Sequence, residues 1–549
     1  MSETFSTLHR SGLHQKLEHT PFDLLVIGGG ITGSGIALDA ATRGMKTALI
    51  ERKDFASGTS SRSGKLIHGG LKYLKNFEFS IVREVGRERD IVFHNARHLV
   101  YPIHMMFPLI KGEAFNPFTL KIGLSVYDRL AGVKKEERHQ LYSKQATLEK
   151  EPLMNNTTIN GSGEYVEYRT DDSRLTMETA KTASEKGAVL LNYAEMTEFS
   201  MDEKERITGV TVKDRLTGEV SSIQADHVVN AGGPWVDEIR KKDRPISGKH
   251  MVHAKGIHLV FPYKAVPVHS SIYFQHKGRM IAVIPRGDTT YVGSTESIYH
   301  EDMDDIHVYQ SECDYLIGCL HDMFPSLSLS REDIISSWAG VRPLIGHDDS
   351  EPSELSRHDE IFESEAGLIT IAGGKLTGYR KMAERVLGYI AEKRALKLSA
   401  SQTAQTPLTG GHFSSEEEMY TYVEQLHKNY DGLRLSREEL EEFLFRYGSH
   451  TETLLQQIAA LKESYSDLEI RNTAGEAVYT VLHEMTATLE DFYDRRTSYL
   501  LFQPAKVKRT LDAVSTHMGE VLNWDSNRLN NERKRIHYLL QKTVTFLQQ

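Results

Sequence analysis

FDLLVIGGGITGSGIALDAATRGMKTALIER, residues 22–52, decides the fold. Residues 22–27 are a short apolar run of the kind that makes a buried parallel strand. Gly28, Gly30 and Gly33 follow in G-x-G-x-x-G spacing, and an Ala- and Leu-rich stretch predicts a helix over 31–43. Gly44 stops that helix, residues 45–50 read as the next strand, and Glu51 ends it.

Each part has a mechanical reason. The first glycine makes a tight turn, the second lets backbone approach a pyrophosphate, and the third allows helix to pack on strand. The helix N-terminus offers unpaired N–H groups and a positive dipole end to phosphate. An acid at the second strand's end accepts hydrogen bonds from both ribose hydroxyls and repels a 2′-phosphate, so NADP is disfavoured. Strand, glycines, helix, strand and acid within a unit of about 30 residues form a specific dinucleotide signature, where the glycines alone are weak.

The chain has 549 residues, too many for one core, and three folding units are expected. Apolar residues at 39% and charged residues at 26% are ordinary for a globular protein. A net charge of −10 gives no global field favouring nucleic acid. Cys313 and Cys319 match no disulfide framework or metal pattern and read as buried thiols. Residues 1–20 are polar, without a signal-peptide core, and read as a loose or short helical lead-in. No apolar run approaches the roughly 18 residues that would span a bilayer. The most apolar stretch, 99–110, is broken by two prolines and a His, so any membrane contact is expected to be peripheral.

Residues 52–70, RKDFASGTSSRSGKLIHGG, would pass in isolation for a flexible loop. They leave the strand whose end holds the ribose, so their hydroxyls and N–H groups can run beside the dinucleotide. Residues 71–96 look helical. Residues 114–133 mix aromatic, aliphatic and basic side chains, a candidate amphipathic surface helix, with an ordinary core-facing helix as the alternative. A helix over 175–186 and a strand over 188–193 lead into a meander. The chain returns at 226–239, where a strand ends in Gly232-Gly233-Pro234, and again at 367–380, where Gly373-Gly374 separates strand from helix. Between them, 249–346 reads as antiparallel strands interrupted by a helix over 305–324, a layer suited to cover one face of the cofactor. From about 400 strand signals fade. A linker over 401–411 precedes an all-helical unit over 412–549, with helices at 415–428, 436–447, 451–464, 474–501, 505–524 and 528–547. No motif in that unit is tied to chemistry.

One βαβ half suffices for a nicotinamide cofactor that leaves. A chain that returns twice to wrap its ligand suits one that stays, so FAD is expected. Residues 22–52 and these returns resemble the glutathione-reductase-type FAD fold of the D-amino-acid-oxidase superfamily: an α/β Rossmann-like domain over 21–400, with an inserted antiparallel substrate layer and an all-α C-terminal domain. More narrowly, residues 58–74 (GTSSRSGKLIHGGLKYL), 338–344 (WAGVRPL) and 373–380 (GGKLTGYR) look like signature segments of the FAD-dependent glycerol-3-phosphate dehydrogenases. The resemblance implies oxidation of glycerol 3-phosphate to dihydroxyacetone phosphate, with electrons passed to membrane quinone. It also implies a cytoplasmic protein held peripherally at the inner face of the membrane; a homodimer stays open. Two positions depart from the family pattern. Lys72 stands where Arg is usual and lacks its bidentate fork, and Gly64 replaces a usual Ser or Thr.

The expected cofactor contacts are Gly28, Gly30, Gly33 and Glu51, then Thr59, Ser60, Ser61, Lys65, Leu66 and His68 of the loop. Met196, Gly232, Pro234 and Trp235 follow, and Gly374, Lys375, Leu376 and Thr377 complete the set. A small dianion with a secondary alcohol needs cations for phosphate and a base near the carbinol. Arg342 and Arg357 are expected on phosphate, with Lys72, Tyr73 and Lys375 beside them. His258, alternating with apolar residues in KGIHLVF, is the expected base, and His68 the second candidate. Arg342 could also stabilise the developing alkoxide. No metal is expected. Two other readings remain: an oxidase using oxygen on the same substrate, and an FAD-stabilised scaffold that docks a partner on its helical domain.

Overall fold

The computed structural model describes all residues except 1–4, 69–78, 114, 247, 347–357 and 549. Phe22–Ile27 forms a buried central strand because five of its six residues can be sealed between helices without stranding a polar side chain. It pairs in parallel with Thr47–Ile50 on one side and with Val220–Asn230 on the other. The sheet continues outward to Val189–Leu191 at one end and to Ile369–Gly373 and Asp359–Glu363 at the other. The helix Ile31–Thr42 is buried along nearly its whole length, as its Ala- and Gly-rich sequence permits.

The meander leading into the sheet is Ala194–Met201, Ile207–Asp214 and Val220–Asn230. The first return pairs with the first strand and the second, Ile369–Gly373, with the first return, all in parallel, so three strand ends open on the same side. The expected short helix ahead of residue 20 is present as Arg10–His19.

The covering layer is wider than 249–346. Its core is His250–Pro262 between Thr289–Gly293 and Ser336–Gly346, but the sheet runs on through Ser271–His276 to Tyr101–Ile110 and Ile159–Arg169. The apolar stretch containing two prolines is thus a strand. Pro102 and Pro108 sit opposite Tyr168 and Ser162 within an antiparallel ladder. Sequence reading missed it because proline argues against a sheet interior. The helix predicted over 305–324 is Gln310–Met323. The helix over 71–96 is described only from Phe79 to Asn95.

Residues 401–411 are a packed segment rather than a free linker. Leu408 N–H donates to Asn95 O at 2.7 Å, and Thr409 N–H to Thr182 Oγ1 at 2.9 Å. The helical unit follows as expected, with one correction. The helix drawn over 474–501 is broken: Leu468–His483 ends before a wide helical turn, Asp491–Arg496, and the short helix Tyr499–Phe502. The break has a local cause, since Asp491 Oδ2 takes the N–H groups of Ala487 and Thr488 (2.9 and 3.0 Å) and so caps a new turn.

A buried, charged seam fastens this unit to the first sheet's loops. Arg495 Nε donates to Asp54 Oδ2 at 2.7 Å, and Arg496 reaches both oxygens of Asp54 at 2.6 and 2.9 Å. Arg174 and Lys181 of the helix Asp172–Glu185 meet Glu484 at 2.5 and 3.0 Å. Against the burial that would raise it, Arg496 and then Arg495 hold the Asp54 carboxyl below its ordinary range.

Candidate functional site

Between the two sheets lies a cavity of about 1250 Å3. It exceeds the roughly 300–1,000 Å3 of small-molecule pockets, leaving room for a dinucleotide and a small substrate together. Gly28 and Gly30 form part of its wall. Gly28 sits at φ +114°, a conformation that side chains rarely adopt, and a Cβ there would press on Ala231. Gly33 has no cavity face. A Cβ on it would overlap the carbonyl oxygen of Gly28, so this glycine serves helix-on-strand packing. The helix Ile31–Thr42 begins at Gly30, which has no side chain to cap it; Ser60 takes the Ile31 N–H, and the helix start still faces the cavity with its positive end toward a ligand's anion.

Glu51 lines the cavity at the end of its strand. Its two oxygens accept from Gly29 N–H at 2.7 Å and Lys53 N–H at 2.8 Å. A carboxylate has about four acceptor sites, so capacity remains for ribose hydroxyls. Burial raises its pKa above the ordinary carboxylate value. The helix start, the bare glycine turn and this acid fit a dinucleotide.

The structure brings together most of the expected contacts. Thr59, Ser60, Leu66, His68, Met196, Gly232, Pro234 and Trp235 all line the cavity, as do Gly374, Lys375, Leu376 and Thr377. Ser60 Oγ accepts from Ile31 N–H at 3.0 Å, tying the loop to the helix start. Two loop residues turn away, which corrects their expected role. Ser61 is buried and its hydroxyl donates to Gly58 O at 3.3 Å. Lys65 is buried with Nζ on Asp172 Oδ1 at 2.6 Å. Their chain positions fit cofactor contact, but the loop's winding could not be read from them. Lys72, Tyr73 and Arg357 lie outside the described residues.

On the covering layer, antiparallel register sets the geometry. Ala254 faces Arg342, Gly256 faces Gly340, and His258 faces Trp338. Directly opposed residues share a face, so Arg342 and His258 look into the same cavity with a glycine pair between them. A Cβ on Gly256 would stand 3.4 Å from Arg342 Nη2, so the guanidinium leans over that bare position. His258 lies flat against Trp338, with ring centroids 4.6 Å apart and planes 8° apart. The ring is accommodated because its other neighbour, Gly293, has no side chain. Nδ1 of His258 is sealed, with no hydrogen-bond partner among the described residues. Burial first, then Arg342 and Lys65, push its pKa down to about 3, so the imidazole is neutral at physiological pH.

Sequence reading missed two neighbours of Arg342. Glu296 Oε1 stands 3.3 Å from its Nη1, and Ser294 Oγ accepts from Nη2 at 3.0 Å. Both lie just past the strand Thr289–Gly293, so their place at a strand end was the available signal. Also missed was the far wall, where Tyr165, Tyr273, Arg279 and Met280 line the cavity. Among the described residues no group of His, Cys, Asp and Glu could hold a metal, and Cys313 and Cys319 are free buried thiols.

Residues 23–380 match the FAD dependent oxidoreductase family, and residues 401–529 match the C-terminal domain of alpha-glycerophosphate oxidase. The chain is 44% identical over 555 residues to the aerobic glycerol-3-phosphate dehydrogenase of Bacillus subtilis, covering the whole of both proteins. The crystal structure of the Bacillus halodurans glycerol-3-phosphate dehydrogenase complexed with FAD superposes with a TM-score of 0.85 at 38% identity, covering 99% of each chain. L-alpha-glycerophosphate oxidase of Mycoplasma pneumoniae shares the fold at 18% identity, with a TM-score of 0.54 over 70% of this chain and 97% of that one.

Proposed function

This chain belongs to the FAD-dependent glycerol-3-phosphate dehydrogenase family, and from that premise we propose that it oxidises sn-glycerol 3-phosphate to dihydroxyacetone phosphate and passes the electrons to a membrane quinone. The observation that carries the reading is the shared cavity: glycine turn, Glu51, Arg342, His258 and Lys375 all open into it.

Gly28, Gly30, the start of the helix Ile31–Thr42 and Glu51 would hold FAD, and bound FAD supplies the acceptor for hydride. Arg342 takes the substrate's phosphate, with Lys375 beside it and Lys72, Tyr73 and Arg357 expected from their chain positions. An arriving phosphate competes with Glu296 for the guanidinium. A phosphate dianion there also offsets the positive charge that depresses His258, which makes the imidazole a better acceptor for the carbinol proton. Arg342, on the same face of the cavity as His258, would also stabilise negative charge developing on that oxygen.

Replacing Arg342 by Ala tests this directly. It should raise the Michaelis constant for glycerol 3-phosphate and lower turnover together, at a cost of about 2–4 kcal/mol in kcat/KM. A wild-type Michaelis constant in that variant would remove Arg342 from the phosphate site.

Membrane contact is proposed through the helix Pro117–Leu130. Leu120, Leu124 and Tyr127 pack inward, while Phe118 and Ile122 are 72% and 49% exposed. Lys111, Lys121, Arg129, Lys134 and Lys135, on the helix or near it in the chain, are also exposed. Exposed apolar and basic side chains on one helical stretch suit an anionic lipid surface. No described helix is long and apolar enough to cross a membrane. The protein should sediment with phosphatidylglycerol vesicles and not with phosphatidylcholine vesicles. Equal binding of Phe118→Ser would rule this helix out.

The C-terminal match to a glycerophosphate oxidase favours a second reading, with oxygen as acceptor. Peroxide formed per turnover, with and without a quinone analogue, separates the two.

A further inference from the structure

Three consecutive residues of the C-terminal unit hold both ends of one cavity-lining segment. Asp54 and Arg62 bracket a stretch whose interior residues Ser57, Gly58, Thr59 and Ser60 line the cavity beside the glycine turn. At one end, Arg495 and Arg496 grip Asp54, which is fully buried. At the other, Asp494 takes Arg62 through both terminal nitrogens, Nη1 at 3.1 Å and Nη2 at 2.5 Å.

Between those anchors Phe55 is fully buried and stacked on Phe5, and three hydrogen bonds tie the segment to the walls of the cavity. Ala56 N–H donates to Gly29 O at 3.1 Å, Ser60 Oγ accepts from Ile31 N–H, and Thr59 Oγ1 donates to Val341 O at 2.6 Å. Two of these three run to the glycine turn and the helix start that would hold pyrophosphate. The third runs to the residue before Arg342. Arg62 itself carries the segment into the covering layer, since a Cβ on Gly340 would overlap its carbonyl oxygen. Displacing either end therefore moves groups on both sides of the cavity.

We propose that Asp494-Arg495-Arg496 is a positioning clamp, by which the C-terminal helical unit fixes the segment 54–62 in its cofactor-holding form. These residues do not line the cavity; they act through Asp54 and Arg62. The proposal gives the helical unit a task in cofactor retention and rests on the reading that the cavity holds FAD. Asp494 is the lever best suited to a test. Its side chain is buried, and Arg495 remains beside it at 3.4 Å if Arg62 is changed.

The test uses the full-length flavoprotein and reads FAD affinity by fluorescence, with the visible flavin spectrum and the melting temperature alongside. Asp494→Asn should raise the FAD dissociation constant at least tenfold and shift the flavin bands, and Asp494→Glu should recover a good part of both. Glu476→Gln is the control. Glu476 is buried in the helical unit against Arg446 and Tyr499, away from the segment. It should lower the melting temperature and leave FAD affinity within twofold of wild type. If Asp494→Asn does not fold, Arg62→Met loosens the same pair from the other side and should meet the same tenfold threshold. An unchanged FAD affinity in Asp494→Asn or Arg62→Met overturns the clamp. So does a loss of affinity in Glu476→Gln proportional to its loss of stability. Wild-type protein that takes up no FAD would instead overturn the reading beneath it.

Discussion

The glycine turn and the charged seam meet on one loop, where Ala56 N–H reaches Gly29 O two residues past Asp54, and are built on opposite principles. Around the turn, contacts are local and apolar: Val26 and Ile36 are fully buried, and Gly28 and Gly33 are neighbours in chain and in space. Across the seam, contacts join residues hundreds of positions apart and are ionic, as where Arg496 meets Asp54. The first region sets where a cofactor sits. The second sets whether the loop beside it stays in place. Packed glycines have no alternative arrangement, whereas a buried ion pair depends on both partners being present and charged.

The largest expected effect is therefore at the seam. Asp54→Ala removes the buried carboxylate that Arg495 and Arg496 share, leaving Arg495 on Asp491 and Arg496 on the Glu484 carbonyl, and should cost about 3 kcal/mol in chemical denaturation. Because the pair is sealed from solvent, added salt should restore little of that loss. A loss under 1 kcal/mol, or full recovery in salt, would mean the seam is solvated and the contrast false.

Gly33→Ala probes the other region. The new Cβ must displace the Gly28 carbonyl, and overpacking of this kind should cost about 3 kcal/mol and release bound FAD. A stable, FAD-loaded variant would show that the turn can relax.

A smaller effect comes from pH. Burial, with Lys181 adding to it, holds His450 near a pKa of about 3 and His483 near about 4, and burial with Arg342 does the same to His258. Their unfolded values lie near 6.5, so below that pH the unfolded chain takes up protons the native chain refuses. This contribution is fully present above pH 6.5 and is lost as pH falls toward 4, by up to about 1.4 kcal/mol per pH unit for each His. Melting temperature should fall steadily from pH 7 to pH 5, and His450→Gln should flatten the slope. A slope unchanged in that variant would place the titration elsewhere.

The same contrast explains what could be read from the chain alone. The βαβ unit was legible because strand, glycines, helix and acid are consecutive and each follows from local sterics. His258 was legible because it alternates with apolar residues along a strand, and Arg342 because it stands in the WAGVRPL segment that carries the family resemblance. Glu296 was not, because it lies beyond a strand end whose neighbours are set by sheet pairing. Lys65 and Ser61 were misplaced because the loop's winding depends on Asp172, far along the chain. Asp494, Arg495 and Arg496 carried no signal, since their partners Asp54 and Arg62 become neighbours only once both units have folded. The proline-bearing strand Tyr101–Ile110 was lost to a local rule that tertiary pairing overrides.

The account's central claim is that a flavin seated on the glycine turn takes hydride from glycerol 3-phosphate, and one spectrum tests it. Purified protein should be yellow, and adding glycerol 3-phosphate in the absence of oxygen should bleach its visible absorbance within seconds. Colourless protein that cannot be loaded with FAD, or a yellow protein whose spectrum glycerol 3-phosphate leaves unchanged, would contradict it.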